Sequence, residues 1–307
     1  MTGVQTCALP IYTALLVYVD DMLIVGNNEC EIAALKAHLC KNFQMKDIGV
    51  LRYFLGIEID QTDQGIYLNQ RKYALDILHE TGLTDSKPAM TPCDSRDKLT
   101  LEGSRKEVDT VAYRRLVGKL IYLTITRPDI CYSVQVLSQF MHSPTDDHWK
   151  AAKRVVRYVK QAPGQGILLT HQNDLQLRAY CDADWQSCAI TRKSLTGFCI
   201  MLGKSLLSWR TKKQGYVATS SAESEYRAMA MTACEVTWLV RLLKDMSVSI
   251  PYVEMYCDNQ SALHIARNPG VAAGAAASWG PVSGVVWCRP GTRLAGPDRG
   301  RGQGPEG

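Results

Sequence analysis

The sequence contains no pair of cysteines spaced CxxC, which argues against a zinc framework built from neighbouring thiols. It has no run of about 18 uncharged apolar residues, so no membrane-spanning helix is expected and no membrane partner with it. No secretory leader is evident either, because the first apolar run begins beyond Pro10 and is broken by Asp20. The eleven cysteines are odd in number and scattered from Cys7 to Cys288. They read as buried free thiols of a reducing, intracellular compartment. The charge imbalance is also slight, +5 over 307 residues, and by itself selects no class of partner.

The apolar content, 46%, is enough for a packed core, and the surplus charge is concentrated. From Arg105 to Lys160 there are eleven Lys and Arg against five Asp and Glu, a local balance of +6. An anionic partner is therefore plausible for that segment. The two ends differ from the middle. Residues 1–11 show no clear period. Residues 269–307 hold ten of the 23 glycines together with many Ala, Pro and Arg. Such a composition buries too little side chain to offset its ordering entropy, so that tail is expected to be disordered.

Between the ends the pattern is regular. Leu15–Val19 and Met22–Val25 read as two strands about a short turn. Asn27 or Asn28 can cap a helix with Ile32, Leu35, Leu39 and Phe43 on one face. "LRYFLGIEI" and "GIYLNQ" read as a hairpin, and "RKYALDILHETG" as a helix stopped by Gly82. Residues 84–108 read as a linker. Helices follow at Val111–Leu123 and Ile130–Met141, and a third begins at Asp146 or Asp147. In the third, Trp149, Ala152, Val156 and Val159 form an apolar stripe, and Lys150, Lys153, Arg157 and Lys160 share another face. Beyond Leu175 three strands are expected, "LQLRAYCDADW", "SLTGFCIMLGKSLLSW" and "GYVATSS". A long helix follows with Tyr226, Ala230, Ala233, Val240 and Leu243 as its apolar stripe, then the strand "VEMYCD" and the helix "NQSALHIARN". The fold class is α+β.

Three acids stand at element ends in the second half: Asp182, Glu225 and Asp258. If the strands share a sheet and the long helix crosses it, these acids meet at one edge. Carboxylates so close repel by several kcal/mol unless a cation neutralises them, and oxygen ligands with retained water suit Mg2+. The alternative is three separately solvated acids at strand and helix ends. Glu223 is two residues from Glu225, so the two face different ways. It reads as a first-turn acid favoured by the helix dipole. Asp20 and Asp21 are either turn residues or part of a second metal site that needs a further carboxylate. The basic face beginning at Lys150 is either an ordinary solvated face or a contact for a phosphate backbone, indifferent to sequence. His148 is expected in packing. His264, six residues past Asp258, is a candidate neighbour of the acids.

A set of blocks then carries a resemblance: "LLVYVDDMLIVG", "FQMKDIGVLRYFLGIEI", "YRRLVGKLIYLTITRPDICYSV", "LSQFMHSPTDDHWKAAKRVVRYVK", "YCDADWQSC", "SWRTKKQGYVATSSAESEYRAM" and "YCDNQSALHIARNP". Together and in this order they resemble the reverse transcriptase and RNase H region of copia-type LTR retrotransposons, from about Tyr12 to Pro269. The resemblance implies the end of a polymerase palm and thumb over 12–92, a helical connection over 93–170 and an RNase H-like domain, C-terminally truncated, over 171–268. The ends, 1–11 and 269–307, have no counterpart.

The resemblance also implies that Asp20 and Asp21 are the metal-binding pair of the polymerase, and that Asp182, Glu225 and Asp258 are the metal-binding acids of the nuclease. Lys150, Lys153, Arg154, Arg157 and Lys160 would grip the nucleic acid. The implied cofactor is Mg2+, with Mn2+ as the alternative. The implied partners are an RNA–DNA hybrid or template-primer and the rest of a Gag-Pol polyprotein, in the cytoplasm or a virus-like particle.

Two departures qualify these expectations. In the family, the first metal-binding aspartate precedes "YVDD", whereas residues 1–11 contain no acid. After "ARNP" the family continues with a basic, His-containing stretch carrying a fourth carboxylate, replaced here by the Gly/Ala/Pro tail. This chain is therefore expected to be polymerase-inactive and nuclease-impaired. The alternatives are a non-catalytic nucleic-acid-binding remnant and an unstable pseudogene product.

Overall fold

Apolar, β-rich runs flank the paired aspartates, and they form an antiparallel hairpin of Thr13–Tyr18 (β1) and Asp21–Gly26 (β2), with Tyr18 opposite Asp21. In the computed structural model the described residues are 12–94, 99–100, 108–171 and 174–268, with the backbone of one further strand at 285–288. Asn28 caps the helix Glu29–Asn42 (α1), its side chain accepting the N–H groups of Cys30 and Glu31. The apolar stripe expected on α1 reaches no core: α1 has no buried residue, and Phe43 is 61% exposed.

Strands Tyr53–Phe54 (β3), Ile57–Thr62 (β4) and Gly65–Asn69 (β5) continue into a four-stranded sheet whose last member is Ile167–Thr170 (β6), in the order β3-β4-β5-β6. The sequence reading did not anticipate β6. Its pairing with β5 joins residues about a hundred positions apart, Gly65 lying opposite Thr170 and Leu68 opposite Ile167. Two glycines permit this approach. A Cβ on Gly65 would lie 1.9 Å from the Leu169 carbonyl oxygen, and one on Gly166 would lie 2.0 Å from that of Leu68. Gly65 also has φ +152°, a conformation closed to other L-residues.

Helices Arg71–Glu80 (α2), Thr110–Leu123 (α3), Cys131–Ser138 (α4) and Asp146–Gln161 (α5) pack around a core that includes Ile77, Tyr113, Leu120 and Val156. The single helix expected over Ile130–Met141 is instead a 3-10 turn, Pro128–Ile130, leading into the shorter α4. Pro128 starts that turn at a position where its missing N–H costs nothing. Past α4, Phe140 turns back to stack on His148 at 3.8 Å. The cap of α5 is Thr145, not Asp146 or Asp147: Thr145 N–H donates to His148 Nδ1 at 2.8 Å. His148 is fully buried in packing, as expected.

The second sheet contains Leu177–Asp184 (β7), Leu195–Leu202 (β8), Ser205–Lys213 (β9), Val253–Tyr256 (β10) and Val285–Cys288 (β11), in the order β11-β10-β7-β8-β9. The run "SLTGFCIMLGKSLLSW", expected as one strand, folds into the β8–β9 hairpin, with Gly203 at φ +57° in its tight turn. "GYVATSS" is correspondingly not a strand. Lys213 already pairs with Leu195 at the start of β8, so the next residues lack a strand partner and run up to Ser220, the cap of the long helix.

That helix, Ser221–Asp245 (α6), crosses the sheet to β10, which lies parallel to β7. Its buried face is Ser224, Glu225, Ala228, Met229, Thr232, Ala233, Val236 and Leu239. This is rotated by about one residue from the stripe read off the sequence, which shares only Ala233 with it. Helix Gln260–Arg267 (α7) follows. β11 is an ordered strand within a tail expected to be disordered. Its sequence, VVWC, is rich in β-branched and aromatic residues, and the free edge of β10 offers it backbone partners. The rest of the 269–307 tail, the 1–11 segment and linker residues 95–98 and 101–107 lie outside the described residues. Among the described residues no helix is long and apolar enough to cross a membrane.

The close approach of β5 and β6 gives a direct test. Gly65→Ala should destabilise the protein by about 2–4 kcal/mol, because the methyl group meets backbone that cannot swing aside. Urea unfolding should show a lower midpoint at unchanged slope.

Candidate metal centre

The side chains of β7 alternate: Leu177, Ala179, Cys181 and Ala183 are buried, while Tyr180, Asp182 and Asp184 are exposed. Asp182 therefore stands at the exposed carboxyl end of a central strand. Asp258 lies two residues past the end of β10. The parallel register sets Tyr256 opposite Tyr180, and continuing it brings Asp258 toward Asp182. Glu225 enters from the second turn of α6 and is 6% exposed. The Ala183 N–H donates to Glu225 Oε1 at 3.2 Å, fixing the helix to the strand at the level of the acids. Glu225 is thus on the buried face of α6 in its own right. Glu223, half-buried, takes the Thr219 N–H and hydroxyl on one oxygen and Arg227 on the other, which hold its carboxyl down at about 2. It is the first-turn acid that the sequence suggested.

Electrostatics mark the convergence. Burial pushes the Glu225 carboxyl up to about 8, and nearby Cys257 and Asp182 push it the same way against the pull of the Ala183 N–H. Burial also raises Asp182, followed by the charges of Asp258 and Asp184. One ligand atom each from Glu225, Cys257 and Asp258 lies within 4.8 Å of the others. Asp182 is outside that group yet close enough to interact with both acids. His264 is exposed in the last turn of α7 and is not part of the group. Cys257 is the member that sequence reasoning missed. Its signal was the tripeptide Tyr-Cys-Asp, present at 180–182 and again at 256–258.

Asp20 and Asp21 are exposed at the tip of the β1–β2 hairpin, Asp20 in the turn and Asp21 opening β2. Val19, in that turn, has φ +50°, a strained conformation for a β-branched residue. Among the described residues neither aspartate belongs to a group of three metal-ligating side chains.

Residues 12–95 match the family described as reverse transcriptase (RNA-dependent DNA polymerase). The chain is 44% identical over 83% of its length to the retrovirus-related Pol polyprotein from transposon RE2 of Arabidopsis thaliana, and 36% identical over 84% of its length to that from transposon TNT 1-94 of Nicotiana tabacum. It is also 44% identical over 73% of its length to an uncharacterized mitochondrial protein of Arabidopsis thaliana, of which it covers 93%. The chain belongs to the copia-type retrotransposon Pol family. It spans about a fifth of the Pol polyproteins it matches, 18% for RE2 and 20% for TNT 1-94.

In this Pol-family chain the basic face of α5 is engaged with the chain itself. Arg157 Nε donates to the Lys87 carbonyl at 2.7 Å, and Arg154 donates to the Thr91 carbonyl and hydroxyl at 3.2 and 2.9 Å. Lys160 reaches the Ser86 carbonyl, and the Ala89 N–H returns a bond to the Arg157 carbonyl. Lys150 is paired with Asp146 and Asp147, and Lys153 lies over the Trp149 ring at 5.3 Å. Three of the five basic residues thus fasten the segment 86–91 onto α5.

Two outcomes follow. Arg154→Ala with Arg157→Ala should release that segment, and limited proteolysis should then cut between residues 84 and 94 well before the rest of the fold. For Glu225, the folded-state value near 8 lies above the ordinary 4.5. Its contribution to stability is therefore fully present below about pH 4.5 and lost as the pH rises through about 8. In the absence of divalent ions, Glu225→Gln should remove this loss, so denaturant midpoints at pH 5 and pH 8 should differ less than in the parent chain.

Proposed function

We propose that residues 171–268 form an RNase H-type nuclease centre, joined to a partial reverse transcriptase segment, and that it cuts the RNA of RNA–DNA hybrids with a divalent metal. The observation that carries this reading is the convergence of Asp182, Glu225 and Asp258 from a strand, a helix and the end of a parallel strand. The upward shifts of Glu225 and Asp182 are those of acids without a counter-charge, and bound cations reverse such shifts. The donor set therefore fits a divalent ion, held by Asp182, Glu225 and Asp258. Mg2+, or Mn2+ in its place, would supply positive charge beside the scissile phosphate and a readily deprotonated water.

The chain's own residues define the rest. The Ala183 N–H orients Glu225 from below. Asp182 and Asp258 are exposed and stand where a backbone phosphate can reach them. Tyr132 donates to Asp184 Oδ2 at 3.2 Å, holding a further acid beside Asp182. Asp20 and Asp21 form a metal-binding pair of polymerase type by family resemblance. They lack a third acid among the described residues, so nucleotide addition by this chain alone is not expected.

A labelled RNA–DNA hybrid with Mg2+ or Mn2+ tests the reading. Cleavage should be weak, because the fourth carboxylate of the family has no counterpart here, and Asp182→Asn should reduce it by about a further hundredfold. Cleavage unchanged in Asp182→Asn would refute the assignment.

A second reading, hybrid binding without cleavage, is favoured by one surface. Arg115, Lys119, Trp149 and Lys153 line a cleft between α2, α3 and α5, combining cations with an aromatic ring. Replacing Arg115 and Lys153 by Ala should weaken hybrid binding and lower its salt dependence by about one to two phosphate contacts. No change in either quantity removes this reading.

A further inference from the structure

The parallel strands β7 and β10, which lead to Asp182 and Asp258, share more than these acids. Tyr180-Cys181-Asp182 and Tyr256-Cys257-Asp258 are the same tripeptide on parallel neighbours, and the rings of Tyr180 and Tyr256 stack at 4.9 Å. Alternation along β7 exposes Asp182 and turns Cys181 inward; just past the end of β10, Asp258 is likewise exposed and Cys257 buried, the two cysteines being 7% and 1% exposed. Cys181 Sγ donates to the Tyr256 carbonyl at 3.4 Å and lies against Cys257, outside the group of ligand atoms itself. Cys257 Sγ points into them, 3.8 Å from Glu225 Oε2. Around a tetrahedral zinc ion, a thiolate sulfur and a carboxylate oxygen stand roughly 3.6 Å apart, from bond lengths of about 2.3 and 2.1 Å. The sulfur–oxygen pair is thus already near ligand spacing, and the Asp258 carboxylate completes a group within 4.8 Å.

A hard cation has no use for sulfur, whereas thiolate with two carboxylates suits a borderline or soft d10 ion. We propose that Glu225, Cys257 and Asp258 form a second, thiophilic metal site that takes Zn2+ or Cd2+. On binding, the Cys257 S–H bond breaks, its proton passes to solvent, and a metal–sulfur bond forms with no change of oxidation state. The regulatory consequence rests on the nuclease reading above: Zn2+ held here takes Glu225 and Asp258 from the ion that supports cleavage, so Zn2+ inhibits. The absence of CxxC does not bear on this site, because its ligands come from a helix and the end of a strand far apart in sequence.

Cadmium reports its own thiolate bond through an ultraviolet sulfur-to-metal charge-transfer band. The full chain is used with Cys7, Cys30, Cys40, Cys93, Cys234 and Cys288 replaced by Ser, of which Cys30, Cys40, Cys93 and Cys234 are exposed. Titration with Cd2+ alone should raise the band to a plateau at one equivalent, and Zn2+ should displace it while excess Mg2+ does not. Cys257→Ser should abolish it. Asp258→Asn, at an exposed position outside the core, should weaken Cd2+ binding about tenfold and decides the matter if the cysteine variant fails to fold. No band, a band that survives Cys257→Ser, or affinity unchanged in Asp258→Asn overturns the proposal. The band is read without nucleic acid, so failure of Mg2+-supported hybrid cleavage counts against the nuclease reading alone.

Discussion

Three carboxylates and a thiol are held against their own repulsion at the carboxyl ends of β7 and β10, and the packing beneath them supplies the restraint. Leu177, Ala179, Ile200, Met229 and Met255 are almost completely buried in one cluster, which fixes α6 across the two strands. The Ala183 N–H then holds Glu225 at the level of Asp182. Carboxyl ends of parallel strands, with a helix rising from the same side, are where open sheets commonly gather ligands. Without the parallel register of β7 and β10, Asp258 would have no reason to approach Asp182.

Much of this was legible in the sequence, for a physical reason. Turn residues and caps are local, so Asn28, Gly82 and the order of the helices from α2 to α7 could be read without tertiary knowledge. The three acids could be nominated because each closes or opens an element. The rotation of α6 could not be read in the same way. Tyr226, Ala230, Val240 and Leu243 are as apolar as the residues that are buried. The helix instead turns small residues, Ala228 and Ala233, toward the sheet to allow close approach. That rotation buries Glu225.

The other departures share one cause: each depends on a partner distant in the chain. β6 is four residues long and is a strand only because β5 presents an open edge. The β8–β9 turn at Gly203 is hidden inside an unbroken apolar run. β11 sits in a tail whose composition argues against order, and it forms where β10 has backbone groups to pair. The basic face of α5 shows the same limit for charge. Sequence gives the sign and the face, but backbone carbonyls of residues 86–91 compete with phosphate for the same guanidinium groups, and here they hold them.

Depth in the sheet separates the two kinds of metal chemistry that this end of the fold can offer. Asp182 and Asp258 are exposed, whereas Glu225 and Cys257 are buried. An ion that keeps its water meets the outer oxygens first, and a hard cation such as Mg2+ gives up water reluctantly. An ion that sheds its water can settle deeper, where Cys257 adds a ligand that only a softer metal rewards. The repeated Tyr-Cys-Asp places both options on β7 and at the end of its parallel neighbour β10: in each copy the carboxylate is exposed and the thiol buried, by strand alternation in β7 and just past the strand end in β10. One backbone register therefore sets the acids that would serve a nuclease and the sulfur by which another metal would compete for them.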